Sequence, residues 1–373
     1  MQEHIKRPNI FAISSKELSQ DAFLTWLLQW SDPKFNEVDP VLHQCGLDFL
    51  HMVLEENSQS GKTIDSVVAG RQWEKLDVWA KIFYSDGTKV FLMIEDKVAS
   101  LEHGNQLDRY QKTAQEKWGK EGFEIKCCYF KIVGESMFSL KTVMDRGYRV
   151  ISRGDIRACL ESYRDGSHHI LLDFIDYLDA LEYAHMQFEN SIPFEWQPKT
   201  LAWVGLFQFI EKEMSIHTWH WVNNLSGGFW NLCLTWEYWN DCFPVYVQIE
   251  EKRICYKIAL GERETVLDNS LTEINDVHKF VFQQLMAFAA ERGVRYIVRP
   301  NRVAYNGDYR TLAVINQKDW CSDINLPLDK EEVVGNLNAI VDFYKDFMAH
   351  LNTISFQEAG IRVERKVVPL TVA

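Results

Sequence analysis

The sequence predicts an α/β protein in its first half and an α+β domain in its second half. The first half reads in the order helix, helix, strand, strand, strand, helix, strand. Its third strand contains Val90-Phe91-Leu92-Met93-Ile94, which is apolar at every position and is typical of a strand covered on both faces in the middle of a sheet. The segment Ser191–Pro198, with two prolines, then separates the halves, so we expect domains at 1–195 and 199–373.

The first two elements are predicted as amphipathic helices over about 16–30 and 40–56. Apolar residues from Phe23 to Trp30 recur at helical spacing and form the buried stripe of the first helix. Glu17 lies near the start of this helix, where acidic side chains are favourable. Asp21 is the alternative acidic position if the helix register differs.

Three strands are predicted next, at about 67–74, 76–84 and 89–98. The last two are joined by Ser85-Asp86-Gly87-Thr88, whose Asp-Gly pair is a strong hairpin signal. The third strand ends in Glu95-Asp96-Lys97. Because strand side chains alternate, Glu95 and Lys97 share one face, and Asp77 of the neighbouring strand could be brought beside Glu95.

Charged side chains at the end of a buried strand need partners, because an unpaired buried charge costs roughly several kcal/mol. A lone Glu-x-Lys triplet is usually a structural ion pair. Here Asp77, the hairpin and the helix that follows also favour a bound cation.

The following helix is predicted over about 103–119, with Gln106 and Tyr110 four residues apart on one face. Asp77, Glu95-x-Lys97 and Gln106-x-x-x-Tyr110, in this order, resemble the PD-(D/E)xK nuclease superfamily and its lambda-exonuclease and RecB-type branch, which carries a QxxxY motif. The first helix with Glu17 is similar to the opening helix of that family. Leu76 stands where the family pattern has a proline, and the resemblance covers about residues 11–133.

The resemblance implies a restriction-endonuclease-like αβββαβ core, with a mixed sheet flanked by helices. It also implies Mg²⁺ (or Mn²⁺) as the cofactor, with these ligands: Asp77, Glu95, Glu17 and the backbone carbonyl of Asp96. Lys97 completes the implied catalytic set of Asp77, Glu95, Lys97 and Glu17, where it would orient or help deprotonate the attacking water. Gln106 and Tyr110 would position the substrate strand or the Glu17 side chain.

Composition excludes several classes of protein. No apolar run reaches the roughly 18 residues of a membrane span, and the first residues lack the apolar segment of a secretory signal. The eight cysteines show no zinc-like spacing, and neither a GxSxG nucleophile motif nor a P-loop occurs. We therefore expect a cytoplasmic protein with no membrane partner.

The net charge of −13 opposes nucleic-acid binding over the whole surface. The segment Lys97–Arg164 differs, with 13 basic and 9 acidic residues, a local balance of +4. These charges either form a basic rim around an acidic metal pocket or lie on solvated helix faces.

In the second half, helices are predicted at about 199–215, 271–292 and 330–353, and strands at about 229–238, 244–250, 254–260, 294–299 and 311–316. The tryptophans that crowd its opening are interpreted as sheet core rather than as a platform for unpaired bases. The role of this half stays open.

The leading hypothesis is a metal-dependent nuclease that acts on nucleic acid, with DNA preferred. The resemblance implies a setting in restriction, phage defence or repair. The alternative is a catalytically silent module with this fold that binds nucleic acid or a protein partner, and a homo-oligomer also stays open. A third hypothesis treats the match as accidental and the charges as structural.

Overall fold

The structure, a computed structural model, describes residues 8–14, 16–55, 62–98, 105–166, 168–224, 227–260, 271–301 and 307–361. The chain divides into two compact units, Met1–Ala184 and His185–Ala373. A five-stranded sheet lies in each unit. The predicted fold class is confirmed, because the first sheet is mixed and flanked by helices and the second is antiparallel. The domain bounds 1–195 and 199–373 stay a prediction.

The first unit contains these helices and strands: α1 (Ile10–Ile13), α2 (Lys16–Trp30), α3 (Pro40–Leu54), β1 (Ile64–Trp73), β2 (Leu76–Tyr84), β3 (Lys89–Lys97), α4 (Gln106–Lys117), β4 (Glu124–Lys131), α5 (Met137–Asp145), β5 (Arg149–Ser152), α6 (Arg153–Leu160) and α7 (His169–Asn190). The strand order is β1-β2-β3-β4-β5. Strands β1, β2 and β3 pair antiparallel, whereas β3, β4 and β5 pair parallel. β3 therefore lies in the centre, as its apolar run predicts.

The turn between β2 and β3 fixes how these two strands pair. Gly87 has a φ of 85°, a conformation that glycine adopts without steric cost. Tyr84 N donates to Thr88 O at 2.9 Å, and Thr88 N donates to the Asp86 carboxylate at 2.8 Å. The resulting register sets Val78 opposite Ile94, so Asp77 lies beside Glu95 at the next position.

Both faces of β3 are covered. Helix α2 packs on β1, β2 and β3, and the residues Val78, Leu92 and Ile94 are fully buried. On the other face, Phe91 and Met93 pack against Tyr110 of α4. A strand between two helical layers has no solvent face, which explains why an alternating polar pattern is lacking in β3.

The sequence predictions differ from the structure in several elements, of which two follow. Helix α5 was not predicted, because it is short and Val143 is its buried residue, so the apolar period is weak. The strand predicted at 294–299 is wrong over the described residues, where the segment forms a single bridge between Val298 and Val314.

The second unit contains these helices and strands: α8 (Leu201–Glu213), β6 (Thr218–Val222), β7 (Phe229–Trp239), β8 (Phe243–Glu250), β9 (Arg253–Ala259), α9 (Leu271–Glu291), β10 (Tyr309–Asn316) and α10 (Lys330–Leu351). Its sheet is antiparallel in the order β10-β9-β8-β7-β6. Trp239 is fully buried and stacks on Phe280 of α9, with ring centroids 5.4 Å apart. Trp219, Trp230 and Trp239 are therefore core residues, as expected for this cluster, whereas Trp221 and Trp236 are partly exposed. None of the described helices is long and apolar enough to cross a membrane.

Helices α2 and α3 approach each other closely at Gly46. A Cβ atom on Gly46 would lie 2.7 Å from Leu27 O and 2.7 Å from Ser31 N, both backbone atoms of or next to α2. We expect Gly46→Ala to lower the free energy of unfolding of the first unit by about 1–3 kcal/mol, because backbone atoms cannot rotate away. Urea denaturation measures this change.

Gly154→Ala is the matched control. Gly154 lies in the exposed first turn of α6, and a Cβ atom there would lie 3.5 Å from Ser152 Oγ, an ordinary contact. This substitution should be neutral or slightly stabilising. Equal effects of the two substitutions would contradict the close approach of α2 and α3.

Candidate functional site

The candidate site lies at the edge of the first sheet where the parallel strands β3 and β4 end. Their register sets Glu95 beside Tyr129 and Lys97 beside Lys131. Because partner residues of parallel strands point to the same face, Glu95, Lys97 and Lys131 lie on one side of the sheet. The carboxyl ends of parallel strands are the usual place for ligands in α/β sheets.

Glu95 is the centre of the site and has no solvent exposure. Lys97 Nζ lies 2.5 Å from Glu95 Oε1, and Gln106 Nε2 donates to the same oxygen at 2.9 Å. The second carboxylate oxygen, Oε2, is buried and has no hydrogen-bond partner in the described part of the chain. One oxygen of Glu95 is therefore fully used, and the other remains available to a ligand.

Gln106 and Tyr110 join helix α4 to this carboxylate. Gln106 Nε2 donates to Tyr110 Oη at 2.7 Å, and Tyr110 Oη donates to Lys75 O at 2.7 Å. The chain of hydrogen bonds runs from the start of β2 through α4 to Glu95. In this structure Gln106 therefore contacts Glu95. The resemblance had implied that Gln106 positions either the substrate strand or the Glu17 side chain.

Asp77 is half-buried beside Glu95, and its Oδ2 accepts a hydrogen bond from Asp96 N at 3.0 Å. Burial raises the pKa of Asp77. Burial and then the charge of Asp77 raise the pKa of Glu95 to about 7. The two carboxylates thus repel each other at neutral pH, unless a proton or a cation lies between them.

Lys97 remains a cation in this surrounding. Burial alone would lower its pKa, but the charge of Glu95 outweighs burial and raises the pKa above its ordinary value. The side chain of Lys97 is 13% exposed, so it lies at the boundary between the buried carboxylate and solvent.

The side chain of Asp96 points to the opposite face, as strand alternation predicts. Asp96 is buried, and Gln20 Nε2 of α2 donates to its Oδ1 at 2.5 Å. Burial and then the charge of Asp21 raise the pKa of Asp96 well above its ordinary value. Burial raises the pKa of Asp21 to about 6, with Asp77 as the next cause.

Glu17 and Asp21 occupy different environments on α2. Glu17 is exposed in the first turn, and its negative charge raises the pKa of both Asp77 and Lys97. Asp21 is buried on the Asp96 side and lies 4.0 Å from Arg71. The structure therefore brings Asp77, Glu95, Lys97, Gln106 and Tyr110 together through contacts or neighbouring register positions, and Glu17 acts on them through its charge.

Sequence reasoning missed a second buried lysine. Lys131 ends β4 beside Lys97, and its Nζ lies 3.3 Å from Glu135 Oε2. Tyr129 Oη donates to the same oxygen of Glu135 at 2.8 Å. Burial lowers the pKa of Lys131. The signal was present in the sequence, because Tyr129-Phe130-Lys131 ends an apolar strand with a charge, as β3 does.

The basic segment Lys97–Arg164 does not form a separate basic rim at its carboxyl end. Arg153 pairs with Glu182 at 2.8 Å, and Arg157 pairs with Asp179 at 2.8 Å, both acidic residues of α7. The positive charges of these arginines are therefore largely neutralised within the unit.

The side chains present fit an oxygen-preferring divalent cation. Asp77 and Glu95 repel each other, and the buried Glu95 Oε2 has no partner among the described residues. No group of three His, Cys, Asp or Glu residues that could hold a metal occurs in the described ranges. Mg²⁺ is commonly held by one or two carboxylates and keeps several waters, so two carboxylates suffice.

A second Glu-x-Lys triplet shows what distinguishes the site. Glu124 and Lys126 lie at the start of β4, with Lys126 Nζ 2.6 Å from Glu124 Oε1. Their side chains are 52% and 42% exposed, whereas Glu95 is completely buried. The two triplets have the same spacing, so burial and the neighbouring Asp77 set the first one apart.

Residues 8–189 match one family model, which is described as the PD-(D/E)XK nuclease superfamily. The match is to the superfamily and does not establish the QxxxY branch. It spans all the candidate site residues. No curated protein and no solved structure matches the chain.

The raised pKa of Glu95 predicts a pH-dependent stability in the absence of divalent cations. The folded state holds the Glu95 proton more tightly than the unfolded state, so this contribution is complete below the unfolded pKa and is lost as pH rises through about 7. Between pH 5 and pH 8, we expect the free energy of unfolding of the metal-free natural protein to fall by roughly 1–3 kcal/mol more than that of Glu95→Gln. Urea denaturation in EDTA measures the difference.

Glu124→Gln is the control, because this exposed carboxylate has a Lys126 partner at the same spacing. Its effect on stability should be small, because the ion pair that it breaks is half exposed. Adding Mg²⁺ at pH 8 should raise the free energy of unfolding of the natural protein and should not raise that of Glu95→Gln. A pH-independent difference for Glu95→Gln would contradict the buried, proton-binding carboxylate.

Proposed function

We propose that this chain, whose residues 8–189 match the model of the PD-(D/E)XK nuclease superfamily, is a metal-dependent nuclease that hydrolyses phosphodiester bonds of DNA. The observation that carries the proposal is the buried Glu95 carboxylate. Lys97 and Gln106 occupy one of its oxygens, and the other has no hydrogen-bond partner by geometry in the described part of the chain, although Asp77 lies beside it. Such a carboxylate beside Asp77 has the form of a cation ligand.

Mg²⁺ or Mn²⁺ is the proposed cofactor, since nucleases of this superfamily generally use such divalent metals. The proposed ligands are the side chains of Asp77 and Glu95 and the backbone carbonyl of Asp96. Glu17 does not form a group of three with these carboxylates in the described structure, so as a proposed ligand it would have to move toward the cation on binding. A divalent cation held there would supply positive charge to the phosphate and lower the pKa of a bound water. Asp96 contributes through its backbone because its side chain is bonded to Gln20 on the other face.

Lys97 is the proposed catalytic lysine. Its Nζ is held 2.5 Å from Glu95 at the boundary with solvent, so it can orient the attacking water and offset charge on the phosphate. Lys131 lies beside it in register, where Glu135 compensates its charge. The ion pair between Lys131 and Glu135 keeps the Lys131 side chain within the sheet edge.

Assignment to the QxxxY branch is also part of the proposal. Gln106 and Tyr110 act as positioning residues, because they fix the Glu95 oxygen that does not face the ligand. This arrangement leaves Oε2 in a fixed place for the cation. The branch suggests action on DNA ends, and the superfamily suggests a cytoplasmic role in restriction, phage defence or repair.

We expect Glu95→Gln and Lys97→Ala each to lower the rate of DNA cleavage by about 100-fold or more, because each removes a group that acts at the reacting phosphate. The assay uses purified protein with Mg²⁺, Mn²⁺ or EDTA. Thermal melting of each variant checks the fold. A strongly lowered melting temperature with unchanged cleavage would make the Glu95–Lys97 pair structural.

Glu124→Gln and Lys126→Ala form the matched control, because they alter a triplet of identical spacing on the next strand. Both should cleave like the natural sequence. Linear and closed circular DNA are compared in the same assay, since only an endonuclease cuts the circle. Metal-independent cleavage, or none under any condition, would contradict the proposed function.

Tyr110→Phe tests the positioning role. The substitution removes the hydroxyl that accepts from Gln106 and donates to Lys75 O, so we expect kcat to fall about tenfold with a smaller change in KM. Tyr148→Phe is the control, because Tyr148 Oη donates to Leu107 O, a backbone oxygen of the same helix. The positioning role is supported if Tyr110→Phe and Tyr148→Phe lose similar stability but Tyr110→Phe loses more kcat. Equal kcat values for the two variants contradict it.

A further inference from the structure

The second unit contains a cavity of about 380 Å³ on the sheet face opposite its helices. Trp219 contacts Phe207 of α8, whereas the next residue, His220, lines the cavity. In the same way Tyr256 contacts Phe343 of α10 and Lys257 lines the cavity. The volume lies within the roughly 300–1,000 Å³ of small-molecule sites.

One wall of the cavity is a row of aromatic side chains. Trp236 stacks on Tyr246 at 4.6 Å between ring centroids and on His217 at 5.7 Å, with interplanar angles of 27° and 17°. Asn231 lies five residues before Trp236, so simple alternation would place them on opposite faces. A bulge between Cys233 and Thr235 returns Trp236 to the face of Asn231. Bulges commonly re-aim side chains next to binding sites.

Asn231 contributes an unsatisfied polar atom to this cavity. The residue is 4% exposed, and its Oδ1 has no hydrogen-bond partner within the described ranges. Buried acceptors are normally paired, so an N–H donor from a ligand would satisfy this oxygen. His220 lies beside it, and burial lowers its pKa, so its neutral ring can both donate and accept.

The charges around the cavity are compensated. Lys257 Nζ lies 2.9 Å from Glu250 Oε1, and Gln248 Nε2 donates to the same oxygen at 2.7 Å. The lysine charge is therefore neutralised by Glu250, and the polar groups favour an uncharged ligand over a phosphate. An apolar ligand would leave Asn231 unpaired, so the ligand must carry N–H donors.

We propose that this cavity binds a nucleobase, whose flat ring packs against the aromatic row and whose N–H group donates to Asn231. Aromatic side chains hold unpaired bases by stacking, and side-chain amides read the edges of bases. The base belongs either to a free nucleoside or to a single strand. A single strand of nucleic acid as the source of the base rests on the proposed nuclease function. The argument that the cavity fits a base does not rest on it.

The test uses the full chain in EDTA, so that cleavage does not interfere. Fluorescence anisotropy compares a labelled deoxyadenosine hexamer with a hexamer of the same length that lacks all bases. We expect the hexamer with bases to bind at least tenfold more tightly. Adenosine is then added as a competitor: displacement supports a free nucleoside as ligand, and a retained preference without displacement supports a base within a strand.

Asn231→Leu and Trp236→Leu should each abolish the tenfold preference. Asn231→Leu removes the unpaired buried Oδ1 and keeps a side chain of similar size, so its melting temperature should not fall strongly. Tyr238→Leu is the control, because Tyr238 lies on the same strand, is 47% exposed and does not line the cavity.

Equal binding of the two hexamers by the natural sequence would overturn the proposal, and so would an unchanged preference in folded Asn231→Leu and Trp236→Leu. The result is separate from cleavage. Loss of cleavage with the preference intact contradicts the nuclease proposal alone, and cleavage without the preference removes the base site alone.

Discussion

The alternation of side chains at the end of β3 is the constraint on which the first unit depends. Glu95 and Asp96 are adjacent acidic residues on a strand with both faces covered, so one carboxylate enters each helical layer. Each layer must then supply a polar partner, because an unpaired buried carboxylate is strongly destabilising. Gln106 of α4 meets Glu95, and Gln20 of α2 meets Asp96. Two hydrogen bonds at neighbouring residues thereby fix two helices on opposite sides of one strand.

This arrangement also orients a buried carboxylate before a ligand is present. The Glu95 carboxylate is held by Lys97 and Gln106 through one oxygen, so its orientation is set before any ligand arrives. Asp77 is attached to the same strand through the backbone of Asp96. The carboxylates are therefore placed by strand pairing, which is more rigid than a loop would be. The electrostatic repulsion between them would favour the binding of the proposed cation.

Much of the first unit could be predicted from sequence, because its signals are local. The bounds of α2 follow from helical periodicity, and the position of Asp77 beside Glu95 follows from the Asp-Gly turn. Other features depend on tertiary placement. Asp21 is buried and Glu17 is exposed because of the way α2 lies on the sheet, which periodicity does not specify. Lys131 was not predicted as a site residue, because it lies 34 positions from Lys97 in the chain and only the pairing of β3 with β4 brings the two together.

The bulge in β7 also has a consequence for the length of that strand. Asn231, before the bulge, and Trp236, after it, lie on the same face only because the bulge adds one residue between them. Deleting Leu234 would restore simple alternation and rotate one side of the strand by half a turn about its axis. If the part after the bulge turned, Trp236 would leave the cavity and Trp239 would leave the interior, and if the part before it turned, Asn231 and Leu232 would exchange faces instead. The number of residues in β7 therefore determines which side chains enter the interior and which enter the cavity, and a change of length in the turns at its ends would leave that assignment intact.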